Sequence, residues 1–285
     1  MKTAVLGTGL MGYPMAERLL AAGHAVCVYN RTKTKAGPLA QKGATVAASV
    51  REAIDSAACV ILMLADIKAI EAVLFGEERI DLAGKTVIQM GTIAPLESIG
   101  LARRVINCAG EYLECPVLGS RREAAEGGLI LMVGSTKRQF HDWQKLLKVF
   151  GPQPCHVGDI GKAAAMKLAL NQLIASHAAG FSLSLGIIEK SGVAVETFMD
   201  VLNKSSLCAK MFDKKLGNWL NRNYDNPNFS VKHLLKDVGL IIREAKARGL
   251  STDVIEGIDR VLQKTVDKGM GEKDYSALFN VVNNI

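Results

Sequence analysis

The chain has 285 residues, of which 49% are hydrophobic and 22% charged, with 7 prolines against 27 glycines. That balance belongs to a globular protein with a sizeable core, at a length suited to two domains, and excludes collagen-like, low-complexity and disordered classes. The 35 Lys and Arg against 28 Asp and Glu leave a net charge of +7; the basic residues are interspersed with acidic ones, which argues against a nucleic-acid surface and suits an anionic small molecule or a phosphorylated cofactor.

The chain enters a strand at once through Met1 to Gly7, with no long apolar stretch and cleavage site of a signal peptide, so a cytoplasmic location is expected. Apolar runs at Ala4 to Leu6, Ala25 to Tyr29, Cys59 to Leu64, Thr86 to Met90, Tyr112 to Cys115 and Leu129 to Val133 predict strands covered on both faces. Amphipathic stretches such as Met11 to Ala22 and Pro95 to Cys108 lie between them, and Ser49-Val50-Arg51-Glu52 fits a capping box. This is the rhythm of a parallel, doubly wound sheet. After Gly161 no strand is predicted. The segment Lys162 to Lys190 is apolar almost all round, but Lys167, Asn171, Gln172 and His177 interrupt it, favouring a buried helix over a membrane span. Further helices are predicted over Val195 to Leu202, Val231 to Arg248, Asp253 to Lys268 and Tyr275 to Val282. The fold class is α/β: a Rossmann-type doubly wound sheet over residues 1–160, followed by an all-helical domain over 161–285 that would serve substrate binding and dimerisation.

Six widely spaced cysteines without CxxC pairing predict core thiols in a reducing compartment, and no metal site is expected. His156 and His177 have no plausible triad partner and read as core or surface residues.

Gly7-Thr8-Gly9-Leu10-Met11-Gly12 is a GxGxxG run between a strand and a helix, the context that gives the motif its meaning. Gly7 permits the tight turn, Gly9 lets backbone approach a pyrophosphate, and Gly12 brings helix and strand together, with Leu10 and Met11 at the helix start. The second predicted strand runs into Asn30-Arg31-Thr32-Lys33-Thr34-Lys35, where a carboxylate would suit NAD and none is present. Arg31 can take a 2′-phosphate through its guanidinium fork, with Thr32 and Lys35 as further donors, so NADP is the expected cofactor. The turns containing Leu64 and Ala65, and Thr92, follow apolar strands and fall where the nicotinamide end should lie. Lys167 and Asn171 stand four apart on one helix face. Desolvation moves a buried lysine toward neutrality, which suits a proton donor to a carbonyl oxygen.

Together the glycine run with Tyr13-Pro14-Met15-Ala16, the Asn30-Arg31-Thr32 turn, Gly91-Thr92 with Pro95, Glu114-Cys115-Pro116-Val117-Leu118-Gly119-Ser120, and Lys167 with Asn171 resemble the β-hydroxyacid dehydrogenase family over essentially the whole chain. Ser120-Arg121-Arg122 and Ala125-Glu126-Gly127-Gly128 most resemble its glyoxylate and succinic semialdehyde reductase branch, which uses NADPH. The resemblance implies Lys167 as the family's lysine, Lys236 as its basic residue near the cofactor, and substrate contacts at Leu118, Gly119 and Ser120. The small residues of Lys162 to Lys190 would allow close packing across a homo-oligomer, dimer or tetramer, and no nucleic-acid or membrane partner is expected. The chain departs from the family at Leu118, where a serine usually helps hold the substrate carboxylate, at Ala163, often glycine, and at Gln172, usually a second asparagine.

The expected function is NADPH-dependent reduction of a small carboxylate-bearing aldehyde, of the glyoxylate or succinic semialdehyde type, to the hydroxy acid. Lys167 would protonate the alkoxide, Asn171 would orient substrate or lysine, and the N–H groups of Gly119 and Ser120 would hold the carboxylate. The alternatives are oxidation of 3-hydroxyisobutyrate or a related 3-hydroxy acid, a non-catalytic NADP-binding module, and an imine reductase, which usually lacks the lysine.

Overall fold

The computed structural model describes residues 1–76 and 80–285. The chain divides into two units, Met1–Leu168 and Ala169–Ile285.

The first unit carries β1 (Lys2–Leu6), α1 (Gly12–Ala21), β2 (Ala25–Tyr29), α2 (Gly37–Ala40), β3 (Thr45–Val46), α3 (Val50–Asp55), β4 (Cys59–Leu62) and α4 (Ile67–Phe75). It continues through β5 (Thr86–Gln89), α5 (Pro95–Asn107), β6 (Glu111–Glu114), β7 (Val117–Leu118), α6 (Arg121–Glu126), β8 (Ile130–Gly134), α7 (Lys137–Leu147) and β9 (Cys155–Gly158). Strands run in the order β3-β2-β1-β4-β5-β6-β8-β7, with β9 beside β8. The first six are mutually parallel and reverse direction of growth at β1, the doubly wound arrangement that opens a ligand crevice at the reversal. β8 is antiparallel to β6 and β7. The strand periodicity of two divides the buried side chains cleanly. Val5, Val28, Ile61, Ile88 and Leu113 face α1 and α7 through Met15, Leu19 and Leu147. Their neighbours Ala4, Leu6, Val60, Leu62, Val87 and Tyr112 face α3, α4 and α5 through Ile54, Ile70 and Val105. Both faces are covered, which is why these strands read as continuous apolar runs.

β3, β7 and β9 were not predicted: β3 and β7 have two residues each and show no period, and β9, Cys-His-Val-Gly, has no apolar run. Of the six cysteines, all free thiols, only Cys27, Cys59 and Cys115 are buried. Cys108 ends α5 and Cys155 opens β9, and both are exposed, so the expectation of core thiols holds for half of them.

Helix α8 (Lys162–Lys190) begins in the first unit and ends in the second. It is followed by α9 (Val195–Asn203), α10 (Lys210–Leu220), α11 (Val231–Ala247), α12 (Asp253–Thr265) and α13 (Leu278–Val282). No described helix is long and apolar enough to cross a membrane. In the single chain Met166, Leu173, Leu183 and Ile187 form an exposed row along α8.

In the second unit Phe181 of α8 stacks on Phe212 at 4.4 Å and packs on Trp219 at 4.8 Å, so aromatic rings join α8 to α10. The same buried face of α10 also carries an ion pair, Lys215 Nζ to Asp274 Oδ2 at 2.6 Å. Asp274 also accepts the N–H of Asn228 at 3.3 Å, the N–H of Ser276 at 3.1 Å and the Ser276 hydroxyl at 2.8 Å. Removing one member leaves the other charge buried and unpaired, which costs about 3–5 kcal/mol. Asp274→Ala is therefore expected to lower the unfolding free energy by about that amount, read as a shift of the urea midpoint at unchanged slope.

Candidate active site

One rung of the sheet organises the site. Tyr29, Leu6, Leu62, Gln89 and Glu114 are consecutive partners across five parallel strands, and Gly134 of β8 closes the row beside Glu114. Each of these parallel residues is the last of its strand. The loops that follow therefore leave the sheet side by side, although their strands end at positions as far apart in sequence as Leu6 and Glu114.

After Leu6, Gly7 adopts φ +99° and bonds its N–H to the Tyr29 carbonyl at 2.8 Å. A Cβ there would stand 2.3 Å from the Met63 carbonyl oxygen, and one on Gly12 would stand 1.8 Å from that of Gly7. Both glycines are thus required by close backbone approach. Gly9 differs, because a Cβ on it would meet no protein atom within 4 Å; its bare side is open to a ligand. Leu10 is exposed, while Met11 packs its side chain on the core. The N-terminus of α1 has no side-chain cap and no acidic residue in its first turn. By contrast Ser49 caps α3, Asp66 caps α4 and Thr136 caps α7. An uncapped helix start behind an open glycine loop offers free N–H groups and a positive dipole end to an anion, so these residues fit a dinucleotide pyrophosphate.

Beside this loop, Asn30 Oδ1 accepts the Thr8 N–H and its Nδ2 donates to the Thr32 carbonyl, both at 3.0 Å. Asn30 thereby ties the glycine loop to the basic turn. Arg31, Thr32, Lys33 and Lys35 are exposed along that turn. The turn after β5 is clamped by Gln89, whose Oε1 accepts the Gly91 N–H at 2.5 Å and whose Nε2 donates to the Gly91 carbonyl at 3.0 Å. A Cβ on Gly91 would lie 2.6 Å from the Leu64 carbonyl oxygen, so the turn bearing Thr92 is pressed against the one bearing Leu64 and Ala65.

Glu114 is buried at the end of β6. Its Oε1 accepts the N–H groups of Gly161, Ala163 and Ala164 at 2.8, 2.9 and 3.2 Å. Lys167, half-buried, follows on the same helix. At the β7–α6 turn Leu118 is half-buried and Gly119 takes φ +138°. The Ser120 N–H bonds Glu123 Oε2 at 2.7 Å, and the Ser120 hydroxyl bonds the same oxygen. The expected role of the Ser120 N–H in holding a substrate carboxylate is corrected accordingly: an internal carboxylate already occupies that donor.

In the second unit Asn171 and Asp237 are buried and bonded, Nδ2 to Oδ2, at 2.6 Å. Lys236 Nζ stands 2.7 Å from Asp237 Oδ1, within ion-pair reach but off the line of a hydrogen bond. The Asn171 Oδ1 is buried and accepts no hydrogen bond from the described residues. A buried acceptor of that kind suits a donor brought by a ligand or water. Asp237 was passed over in the sequence, where only its neighbour Lys236 drew attention. His156 bonds the Ser135 carbonyl at 2.8 Å and His177 packs edge-on to Phe212, both structural contacts.

Residues 2–160 match the family described as the NAD binding domain of 6-phosphogluconate dehydrogenase, and residues 161–282 that described as the NAD-binding region of NADP-dependent 3-hydroxyisobutyrate dehydrogenase. Glyoxylate/succinic semialdehyde reductase 1 of Arabidopsis thaliana is 32% identical over 99% of this chain and 98% of its own. The chain belongs to the β-hydroxyacid dehydrogenase family. It is an NAD(P)-dependent oxidoreductase of the hydroxyacid dehydrogenase class, and its cofactor is a nicotinamide dinucleotide. The 3-hydroxyisobutyrate dehydrogenase of Salmonella typhimurium shares the fold, with a TM-score of 0.87 at 21% identity and 99% coverage of each chain. The cytokine-like nuclear factor N-PAC of Drosophila melanogaster is 28% identical over 96% of this chain, which spans 46% of that protein.

In this dehydrogenase Asn30 is engaged at both ends of its amide, so it helps to hold the glycine loop and the basic turn together. Losing two neutral hydrogen bonds removes about 1–3 kcal/mol of loop order. Asn30→Ala is expected to weaken binding of the reduced nicotinamide dinucleotide by about tenfold in fluorescence titration while leaving thermal unfolding within a few degrees.

Proposed function

We propose that the dehydrogenase prefers NADPH and reduces a small aldehyde carrying a carboxylate, of the glyoxylate or succinic semialdehyde type, to the hydroxy acid. When bound, the cofactor supplies the hydride. Arg31, with Thr32 and Lys35, holds the 2′-phosphate in this reading, supported by the exposed basic turn beside the glycine loop and by the absence of a carboxylate there. Gly7, Gly9, Leu10, Met11 and Gly12 cradle the pyrophosphate, Leu64, Ala65 and Thr92 border the nicotinamide, and Lys236 adds positive charge. Lys167 donates a proton from its ammonium Nζ to the developing alkoxide: an N–H bond breaks, an O–H bond forms, and the amine is reprotonated from water. Asn171, its Nδ2 bonded to Asp237, orients the substrate carbonyl or the lysine in this reading. Leu118, Gly119 and Ser120 border the substrate's far end.

The observation that carries this reading is that an uncapped α1, a basic turn and the start of the lysine-bearing helix are all set by one rung of the sheet. Oxidation of a 3-hydroxy acid is the second reading, favoured by the description of the family matched at residues 161–282. For the molecule as a whole we propose a cytoplasmic homo-oligomer, dimer or tetramer, supported by three buried free thiols and by the exposed apolar row on α8.

A charge-assisted bond to the 2′-phosphate contributes about 1.5–3 kcal/mol, so NADPH should bind at least about tenfold more tightly than NADH, and Arg31→Ala should erase that difference. Equal affinities in the unaltered protein would refute the cofactor choice. NADPH oxidation with glyoxylate, succinic semialdehyde and tartronate semialdehyde, run beside NADP reduction with 3-hydroxyisobutyrate, separates the two directions. Leu118→Ser restores a hydroxyl donor and is expected to lower KM for the acidic aldehydes by about tenfold, with NADPH affinity unchanged. An unaltered KM would show that the carboxylate does not lie at this turn.

A further inference from the structure

Helix α8 starts without a cap of its own. Gly161 precedes it with φ +96° and has no side chain to accept an N–H, yet Gly161, Ala163 and Ala164 are buried. The missing acceptor comes from β6, 47 residues earlier: one oxygen of Glu114 takes the N–H groups of Gly161, Ala163 and Ala164. The other oxygen accepts the Ser98 hydroxyl, which is itself 2.8 Å from the Tyr112 hydroxyl. Gly134 stands opposite, and a Cβ there would come within 2.3 Å of Glu114 Oε1, so the strand partner is kept bare to admit the carboxylate. Glu114, Ser98 and Tyr112 are each 0–1% exposed. Burial pushes the Glu114 carboxyl upward, while its hydrogen bonds from Ser98, Ala164, Gly161 and Ala163 pull it back.

A buried carboxylate is a costly way to cap a helix, since a serine or aspartate ahead of the first turn would satisfy the same donors. What it adds is a fixed link between helix and sheet. Glu114 is the rung partner of Gln89, the residue that clamps the Gly91–Thr92 turn. Lys167 follows Ala163 by four residues and Ala164 by three, so it stands one turn farther along the face that Glu114 holds.

We propose that Glu114 is a positioning residue for Lys167: its carboxylate sets where the first turn of α8 begins relative to the rung, and so where the lysine amine stands. The inference rests on the reading of Lys167 as proton donor. Aspartate at this position is one methylene short and must drag the helix start or drop its N–H bonds, whereas glutamine keeps both the length and an acceptor oxygen.

The test is a double-substitution cycle on turnover, with hydrogen exchange of the ligand-free protein beside it. Glu114→Asp is expected to lower kcat by about ten- to a hundredfold, the range for an ångström-scale misplacement, with NADPH affinity within about twofold. Glu114→Gln should recover kcat to within about threefold of the unaltered enzyme. In a Lys167→Ala background, Glu114→Asp should cost nothing more, because residues that act as one unit are not additive. The amides of Ala163 and Ala164 should exchange faster in Glu114→Asp but not in Glu114→Gln. An equal loss from Glu114→Asp with and without Lys167 overturns the positioning role while leaving the proton-donor reading intact. Unchanged kcat in Glu114→Asp with loosened amides also overturns it. Full turnover in Lys167→Ala alone brings down both. If Glu114→Asp does not fold, Ser98→Ala, which frees only the second carboxylate oxygen, enters the same cycle with an expected loss of about three- to fivefold that vanishes without Lys167.

Discussion

The register of the parallel strands is the constraint on which the rest depends. Backbone hydrogen bonding places Tyr29, Leu6, Leu62, Gln89 and Glu114 on one rung; the glycine loop, the basic turn and the turns bearing Leu64 and Thr92 leave from it, and Glu114 ties the start of α8 to it. A slip of one residue at any strand would turn its side chains to the opposite face and move its loop along the sheet. Burial on both faces makes such a slip costly, because alternate residues pack against different helices. The precision of the cofactor end is therefore inherited from core packing.

Helix termini show how the same backbone chemistry is spent in two ways. At α3, α4, α7 and α8 the orphan N–H groups are satisfied by Ser49, Asp66, Thr136 and Glu114. At α6, Glu123 reaches back to the Ser120 N–H. At α1 no side chain does so, and the glycines in front of it remove the atoms that would cover it. The contrast separates a helix start that serves the fold from one left available to an anion.

The opposite end of the site is less hospitable to an anion. Leu118 brings no donor, and the two donors of Ser120 are turned to Glu123. Arg121 and Arg122 lie on the exposed side of α6, with Arg122 paired to Glu126. The electrostatic character of the β7–α6 turn thus differs from that of the Arg31 turn, although net charge and composition give no hint of the difference.

Local features were readable from the chain alone. Gly7 to Gly12 lies between a strand and a helix that are adjacent in sequence, so the motif and its context appear within about two dozen residues, and Arg31 follows directly on the next strand. Lys167 and Asn171 stood out because a charged and an amide group interrupt an apolar helix, and α8 covers the predicted Lys162 to Lys190. Helix α10 was missed because its buried row, Phe212, Lys215 and Trp219, contains a lysine that becomes a core residue only opposite Asp274, 59 residues away. Asn171 meeting Asp237 across 66 residues and Glu114 meeting the start of α8 across 47 were equally invisible. Sequence alone determined the alternation of strands and helices that makes a doubly wound sheet, the glycine loop between β1 and α1, and the lysine that interrupts α8, because each depends on neighbours along the chain. Tertiary structure alone decided which buried acid holds which donor, because a hydrogen bond between distant segments leaves no periodicity or spacing to read.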